Sequence, residues 1–168
     1  MEKLKTLYLL RHAKSCWQNP DLADHDRPLN ERGQHDAPFM GKILKKKGIL
    51  PDQILCSTAL RTQKTAVAVA NEIGFSEKKI VFLKELYHAS FQKMITILKT
   101  QKKNIDHIFL VGHNPDLTEL ANYLSQKNID NIPTTGIVGI GFRTDDWAKI
   151  SPENAQFLFF DYPKKHYL

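Results

Sequence analysis

Cysteine is nearly absent. Cys16 and Cys56 are the only two, too few for a disulfide scaffold or a thiolate-based zinc site. Cys56 ends an apolar run and is expected to be buried, whereas Cys16 lies in a polar loop. No apolar run approaches the roughly 20 residues that cross a bilayer, so no membrane partner is expected. The phosphate loop Gly-x-x-x-x-Gly-Lys-Ser/Thr and the Gly-x-Gly-x-x-Gly fingerprint are both missing, which leaves P-loop nucleotide hydrolysis and dinucleotide binding without support. His25, His35, His88, His107 and His166 show no metal-ligand spacing such as His-Glu-x-x-His, and Asp24 with Asp26 is weak ground for magnesium. Neither a metal nor an organic cofactor is therefore expected. Internal repeats, low-complexity tracts and interdomain linkers are also lacking. The first strand begins almost at the N-terminus, leaving no room for a signal peptide. The expectation is one cytoplasmic domain over residues 1–168, with a monomer plausible.

The charge balance is positive, 24 basic against 18 acidic residues, for a formal net charge of +6. That favours anionic partners. Many lysines, however, sit in runs at helix or chain ends, Lys45 to Lys47, Lys102-Lys103 and Lys164-Lys165, where lysine is favourable without any ligand. These read as solvated faces, and no dedicated nucleic-acid surface is expected.

What is present alternates strand with helix. Residues 4 to 10 read as a buried central strand, followed by a polar loop over 13 to 30. Asn30 can cap a helix that stops at Gly48, and Pro38 means that it either kinks or has a main body starting near Ala37. A strand over 53 to 56 leads to a helix that Ser57 or Thr58 can cap and Gly74 ends. Ile80 to Leu83 reads as a third strand, and Phe91, Ile95 and Leu98 mark a third helix. After the strand His107 to Val111, Asn114 as cap with Pro115 in the first turn starts a fourth helix through Leu124. Strands over about 137 to 142 and 156 to 160 complete the chain. The rhythm is that of a three-layer α/β/α sandwich with a mostly parallel central sheet.

Polar residues recur at one kind of place, just beyond strands: Arg11 and His12, Arg61, Glu85, then Gly112-His113. Strand ends of such a sheet converge on one crevice. Two arginines, two histidines and a carboxylate there point to phosphoryl transfer. Arginine forks onto phosphate oxygens, and a neutral imidazole can attack phosphorus and carry the group briefly.

Four segments also resemble a known family. Leu10-Arg11-His12-Ala13, Asp26-Arg27-Pro28-Leu29-Asn30-Glu31-Arg32-Gly33, Ser57 to Ala66 and Val111-Gly112-His113-Asn114-Pro115 are similar, in order, to the motifs of the histidine phosphatase, or phosphoglycerate-mutase-like, superfamily. With the small size they resemble its SixA-like phosphohistidine phosphatase branch. The resemblance implies that His12 is the phosphorylated nucleophile and that Arg11, Arg61 and His113 bind the phosphoryl oxygens. It implies that Arg27 is a further phosphate-pocket arginine and that Glu85 stands where many members keep the acid for the leaving group. Asp24 and Asp26 equally allow Arg27 a structural ion pair, and Glu85 equally reads as a partner orienting an arginine. Ala13 departs from the family's glycine, which matters if that position needs a positive φ.

The activity so implied is a metal-independent phosphatase acting through phospho-His12, with protein phosphohistidine as the expected substrate. A phosphatase of small phosphoesters and a non-catalytic phosphate-recognising domain are the alternatives. The mechanism needs His12 unprotonated and gains from His113 as a donor, which predicts a bell-shaped pH profile. Trp17 and Tyr87 are expected either at the pocket mouth or buried elsewhere. Long insertions are lacking, so the site is expected to be shallow and open.

Overall fold

A computed structural model describes residues 4–167. Six strands form one sheet: β1 (Leu4–Arg11), β2 (Gln53–Ser57), β3 (Val81–Leu83), β4 (His107–Gly112), β5 (Ile137–Arg143) and β6 (Ala155–Asp161). Their order is β3-β2-β4-β1-β5-β6. β1, β2, β3 and β4 pair in parallel, while β5 runs antiparallel to both β1 and β6. The expected mostly parallel sheet is thus present, with one reversed strand.

β1 is buried on both faces because its alternating side chains meet two different cores. Leu7 and Leu9 pack with α3 (Phe91–Lys99) and α4 (Asp116–Ser125) on one side. Tyr8 and Leu10 pack with α1 (Glu31–Lys46) and α2 (Leu60–Ile73) on the other. A strand with helices on both faces reads as a near-continuous apolar run, as Leu7 to Leu10 does. The chain steps from β1 over β4 to β2 and β3, then returns through α3 to β4. That reversal leaves a crevice beyond the carboxyl ends of β1 and β4.

Local differences from the expected boundaries follow from side-chain bonding. α1 is one continuous helix through Pro38, so the two-piece alternative does not occur. Asn30 caps it as expected, accepting from Gly33 N at 2.9 Å. Neither Ser57 nor Thr58 is the cap of α2; Ala59 holds that position, and Ser57 Oγ accepts from Ala59 N at 3.3 Å instead. Ser57 is thereby held at the strand end, facing the crevice chemistry described below. α4 starts at Asp116 rather than Pro115, and Asn114 Oδ1 accepts from Thr118 N and Oγ1 without being the cap residue. Ile80 ends a 3-10 turn before β3. Cys56 is buried, as its run implied.

The loop over 13 to 30 is closed at its base. Ser15 bridges Leu29, Cys16 N donates to Pro28 O at 2.7 Å, and Asn30 N donates to Lys14 O at 3.0 Å. Gly33 makes that closure possible, because a Cβ there would lie 2.2 Å from Lys14 O. Backbone oxygen cannot swing away as a flexible side chain can. We expect Gly33→Ala to destabilise the protein by about 1–3 kcal/mol, read as a lower urea midpoint at unchanged m; an unshifted midpoint would show that the loop base yields freely.

Candidate active site

The exit of β1 is fixed from every side. Arg11 N donates to Gly136 O at 3.0 Å, and His12 N donates to Gly112 O at 3.2 Å. Thr135, in the left-handed region at φ 62, turns its N–H onto Arg11 O and His12 O, both at 3.1 Å. Ala13 N donates to Thr65 Oγ1 at 2.8 Å, and that hydroxyl donates to Arg61 O, so the β1 exit and the first turn of α2 are tied. Ala13 is buried and has no positive φ. The departure from glycine at this position therefore carries no strain.

His12 is 8% exposed. Its Nδ1 lies 2.8 Å from Ala13 O, and since a carbonyl only accepts, Nδ1 carries the proton. Nε2 keeps its lone pair and is free to attack. Burial, opposed by the Ala13 carbonyl and aided by Arg61 and Arg11, lowers the His12 pKa to about 4. The His113 ring lies 5.3 Å away, centroid to centroid. Arg61 Nη2 donates to His113 Nδ1 at 3.4 Å, which leaves His113 Nε2 to donate to Ser57 Oγ at 2.8 Å. Burial first, then His12 and Arg61, lower the His113 pKa to about 3.

Arg61 is the hub. It is 7% exposed and donates to Asp24 O at 2.8 Å and Asp24 Oδ2 at 3.0 Å as well as to His113. Tyr87 OH donates to the same Asp24 Oδ2 at 2.6 Å. Burial works to raise the Asp24 pKa, but the Tyr87 and Arg61 hydrogen bonds outweigh it and hold the carboxyl below its usual range. Arg11 donates to Ile132 O at 2.9 Å, keeps a buried Nε without a partner, and is close enough to lower the His12 pKa.

Arg11, His12, Arg61 and His113 are therefore brought together. Glu85 is not seen to join them: it sits exposed in a 3-10 turn and makes no hydrogen bond or ion pair among the described residues. Arg27 is buried, with its Nη1 on Asn19 O at 3.2 Å and its guanidinium 4.0 Å over the exposed Trp17 ring. The side-chain ion pair with Asp24 or Asp26 does not form; only Arg27 N reaches Asp24 O. Tyr87 lies beside the site, its ring 5.7 Å from that of His113. Asp24, Ser57 and Thr65 belong to the site although the motifs gave them no role there. The charged cluster Asp24 to Arg27 was the available signal for the first. Among the described residues, no three His, Cys, Asp or Glu side chains gather as ligands for a metal ion, and no helix is long and apolar enough to cross a membrane.

A profile of the histidine phosphatase superfamily (branch 1) matches residues 7–119, which include Arg11, His12, Arg61 and His113. The chain belongs to the histidine phosphatase superfamily. Among its relatives, an uncharacterized chloroplastic protein of Arabidopsis thaliana is 36% identical over 133 residues, covering 74% of this chain and 61% of that protein. An uncharacterized protein of Mycobacterium tuberculosis is 30% identical over 166 residues, covering 92% of this chain and all of that protein. The chain thus spans about three fifths of the plant relative and the whole of the mycobacterial one. A solved structure from Agrobacterium tumefaciens, assigned as the phosphohistidine phosphatase SixA, superposes with a TM-score of 0.81 at 28% identity over 95% of this chain and 98% of that one.

In this histidine phosphatase both rings are neutral in the free state, so the protonated His113 on which the expected bell-shaped profile rests is not a feature of the free site. Burial first, then His12 and Arg61, hold the free His113 ring at about 3, well below the pH 5 to 8 range. The same shifts set an acid limit to stability. An unfolded histidine takes up its proton near 6.5, and the folded rings resist until about 4 and 3. The contribution of these two histidines to stability is complete above about 6.5 and declines as the pH falls from there through 4 to about 3. Titration of the His12 and His113 Cε1–H resonances should give midpoints near 4 and 3; a midpoint near 6.5 for either would refute the burial argument.

Proposed function

We propose that the protein is a metal-independent phosphatase that hydrolyses protein phosphohistidine through a phosphoryl group carried on His12. The observation that carries this reading is the Nδ1-protonated tautomer of His12, buried against Ala13 O, with its free Nε2 beside Arg61 and His113. Nε2 attacks phosphorus, the P–N bond to the substrate imidazole breaks, and that imidazole leaves with the electron pair. Water then displaces the phosphoryl group from His12 and releases inorganic phosphate. Arg11 and Arg61 meet the charge on the equatorial oxygens, where burial makes each hydrogen bond count for more than in water. His113 faces the same oxygens, and Arg27 is the proposed additional phosphate contact.

The leaving group favours phosphohistidine over an alkyl ester. An alkoxide needs a proton as it departs, but Asp24 is held ionised and Glu85 stands exposed without a partner in the site. A phosphorylated imidazole takes a proton from solvent on its second nitrogen, so it departs neutral without an acid from the enzyme. The Agrobacterium tumefaciens structure assigned as SixA supports the same substrate class, and the reading expects a cytoplasmic protein acting on a phosphorylated partner.

Incubation with a phosphohistidine peptide in EDTA should release phosphate and leave acid-labile label on the enzyme. His12→Ala should abolish both, a loss of at least about 10³-fold in kcat. Faster turnover of sugar phosphates or nucleotides than of the peptide would move the assignment to small esters. No label and no turnover with any of them would leave a phosphate-recognising domain.

A further inference from the structure

Arg11 faces two places at once. Besides its position near His12, it lines a half-open cleft of about 280 Å³ with Lys14, Arg32, Thr134, Tyr162 and Lys164. Four of the lining residues are cations and none is a carboxylate. Among the described residues only Arg32 of the four has an acidic partner, Asp36 at 3.4 Å, and Asp36 is also bound by Tyr167. Lys14 and Lys164 extend into solvent without an ion pair, and Arg11 keeps its buried Nε unpaired. Gathering so much like charge is unfavourable until an anion arrives.

The sheet order gives the cleft a direction. Arg61 and Tyr87 reach the site from the segments after β2 and β3, on one side of β1, and hold Asp24 of the β1–α1 loop there. The cleft lies on the other side, where the loop before β5 and the turn after β6 meet Arg11, Lys14 and Arg32 from the end of β1, its loop and α1. One flank of His12 is thus marked by the ionised Asp24 and the other by four cations. A substrate with a negative charge beside its phosphoryl group fits in one orientation only.

We propose that this cleft is a second anion subsite, which takes the carboxylate of an acidic residue close to the phosphorylated residue of a protein substrate. The proposal rests on the phosphohistidine reading above. Arg32 supplies a planar fork that matches a carboxylate, Arg11, committed to the phosphoryl group, adds its charge at the inner end, and Lys14 and Lys164 supply mobile charge at the rim. Two of the four cations are exposed lysines, and the mouth is open to solvent. Such a surface suits a charge displayed on a polypeptide lying across it better than a small molecule that must be enclosed.

The test compares two phosphohistidine peptides, identical except for Glu or Gln at the residues flanking the phosphohistidine. The wild type should show a KM about five- to tenfold lower for the acidic peptide, fading in high salt. In Lys14→Glu/Lys164→Glu that preference should vanish or reverse, and in Lys14→Gln/Lys164→Gln it should shrink. kcat and the hydrolysis of phosphoramidate, which carries no flanking charge, should stay unchanged in both variants. Equal wild-type KM values for the two peptides, or a preference that survives both variants, overturn the subsite alone. Turnover of phosphoramidate with neither peptide accepted overturns the protein-substrate reading and the subsite with it. A preference of the same size for a small phosphoester carrying a carboxylate over its uncharged analogue, with none between the peptides, assigns the cleft to small molecules and overturns the proposal as stated.

Discussion

The hydrogen bond from His12 Nδ1 to Ala13 O decides which nitrogen of the ring is available, and the surrounding backbone exists to hold that bond in place. The carbonyl does not move, because the Ala13 N–H is taken by Thr65 and the peptide groups of Arg11 and His12 are bonded to Gly136, Gly112 and Thr135. These partners come from α2, β4 and the loop before β5, so the β1 exit cannot shift without disturbing three elements. A single residue in the left-handed region, Thr135, is retained at the point where two carbonyls converge on one N–H. Strain of about 1 kcal/mol or more for a non-glycine residue there persists only because the surroundings over-determine it.

The same packing that orients His12 also controls its charge. Burial, helped by the two arginines beside it, keeps the imidazole neutral, and neutrality is what a nucleophile needs. Arg61 would be a poorly oriented cation if it met only solvent. The backbone and carboxylate of Asp24, the latter secured by Tyr87, fix its guanidinium in one plane against His113. The chain thus uses a carboxylate near the site as a buttress for an arginine, and its low pKa suits it to that role better than to giving up a proton.

Legibility from the sequence followed the range of the interaction. Strand and helix order depended on local apolar patterning, and Leu7 to Leu10 carried it because β1 is covered on both faces. Asn30 as a cap was readable for the same reason: its partner Gly33 is three residues away. The cap of α2 was misplaced because Ser57, a good cap residue, is recruited by His113 from across the sheet edge. Asp24 had no role in the motifs because it lies in a long polar loop whose path is set by its two ends closing on each other, Ser15 and Cys16 on Leu29 and Pro28, and Gly33 on Lys14. Glu85 was placed correctly after β3, but where its carboxylate points depends on a 3-10 turn that no periodicity announces.

The opposed demands on the two histidines are met in sequence rather than by two fixed acidities. In the free site His113 is neutral because burial and the neighbouring cations disfavour its charge, and its Nε2 proton rests on Ser57. A phosphoryl dianion bound as proposed would bring negative charge against the same ring and oppose both the burial and the positive neighbours that keep it neutral. Protonation of His113 is then favoured by the substrate that needs the donor. On the proposed mechanism His12 is restrained from following, because its Nδ1 is already protonated and a proton on Nε2 would compete with the bond to phosphorus. On the proposed mechanism, a pair of imidazoles 5.3 Å apart can therefore act as nucleophile and donor in one cycle although both begin neutral.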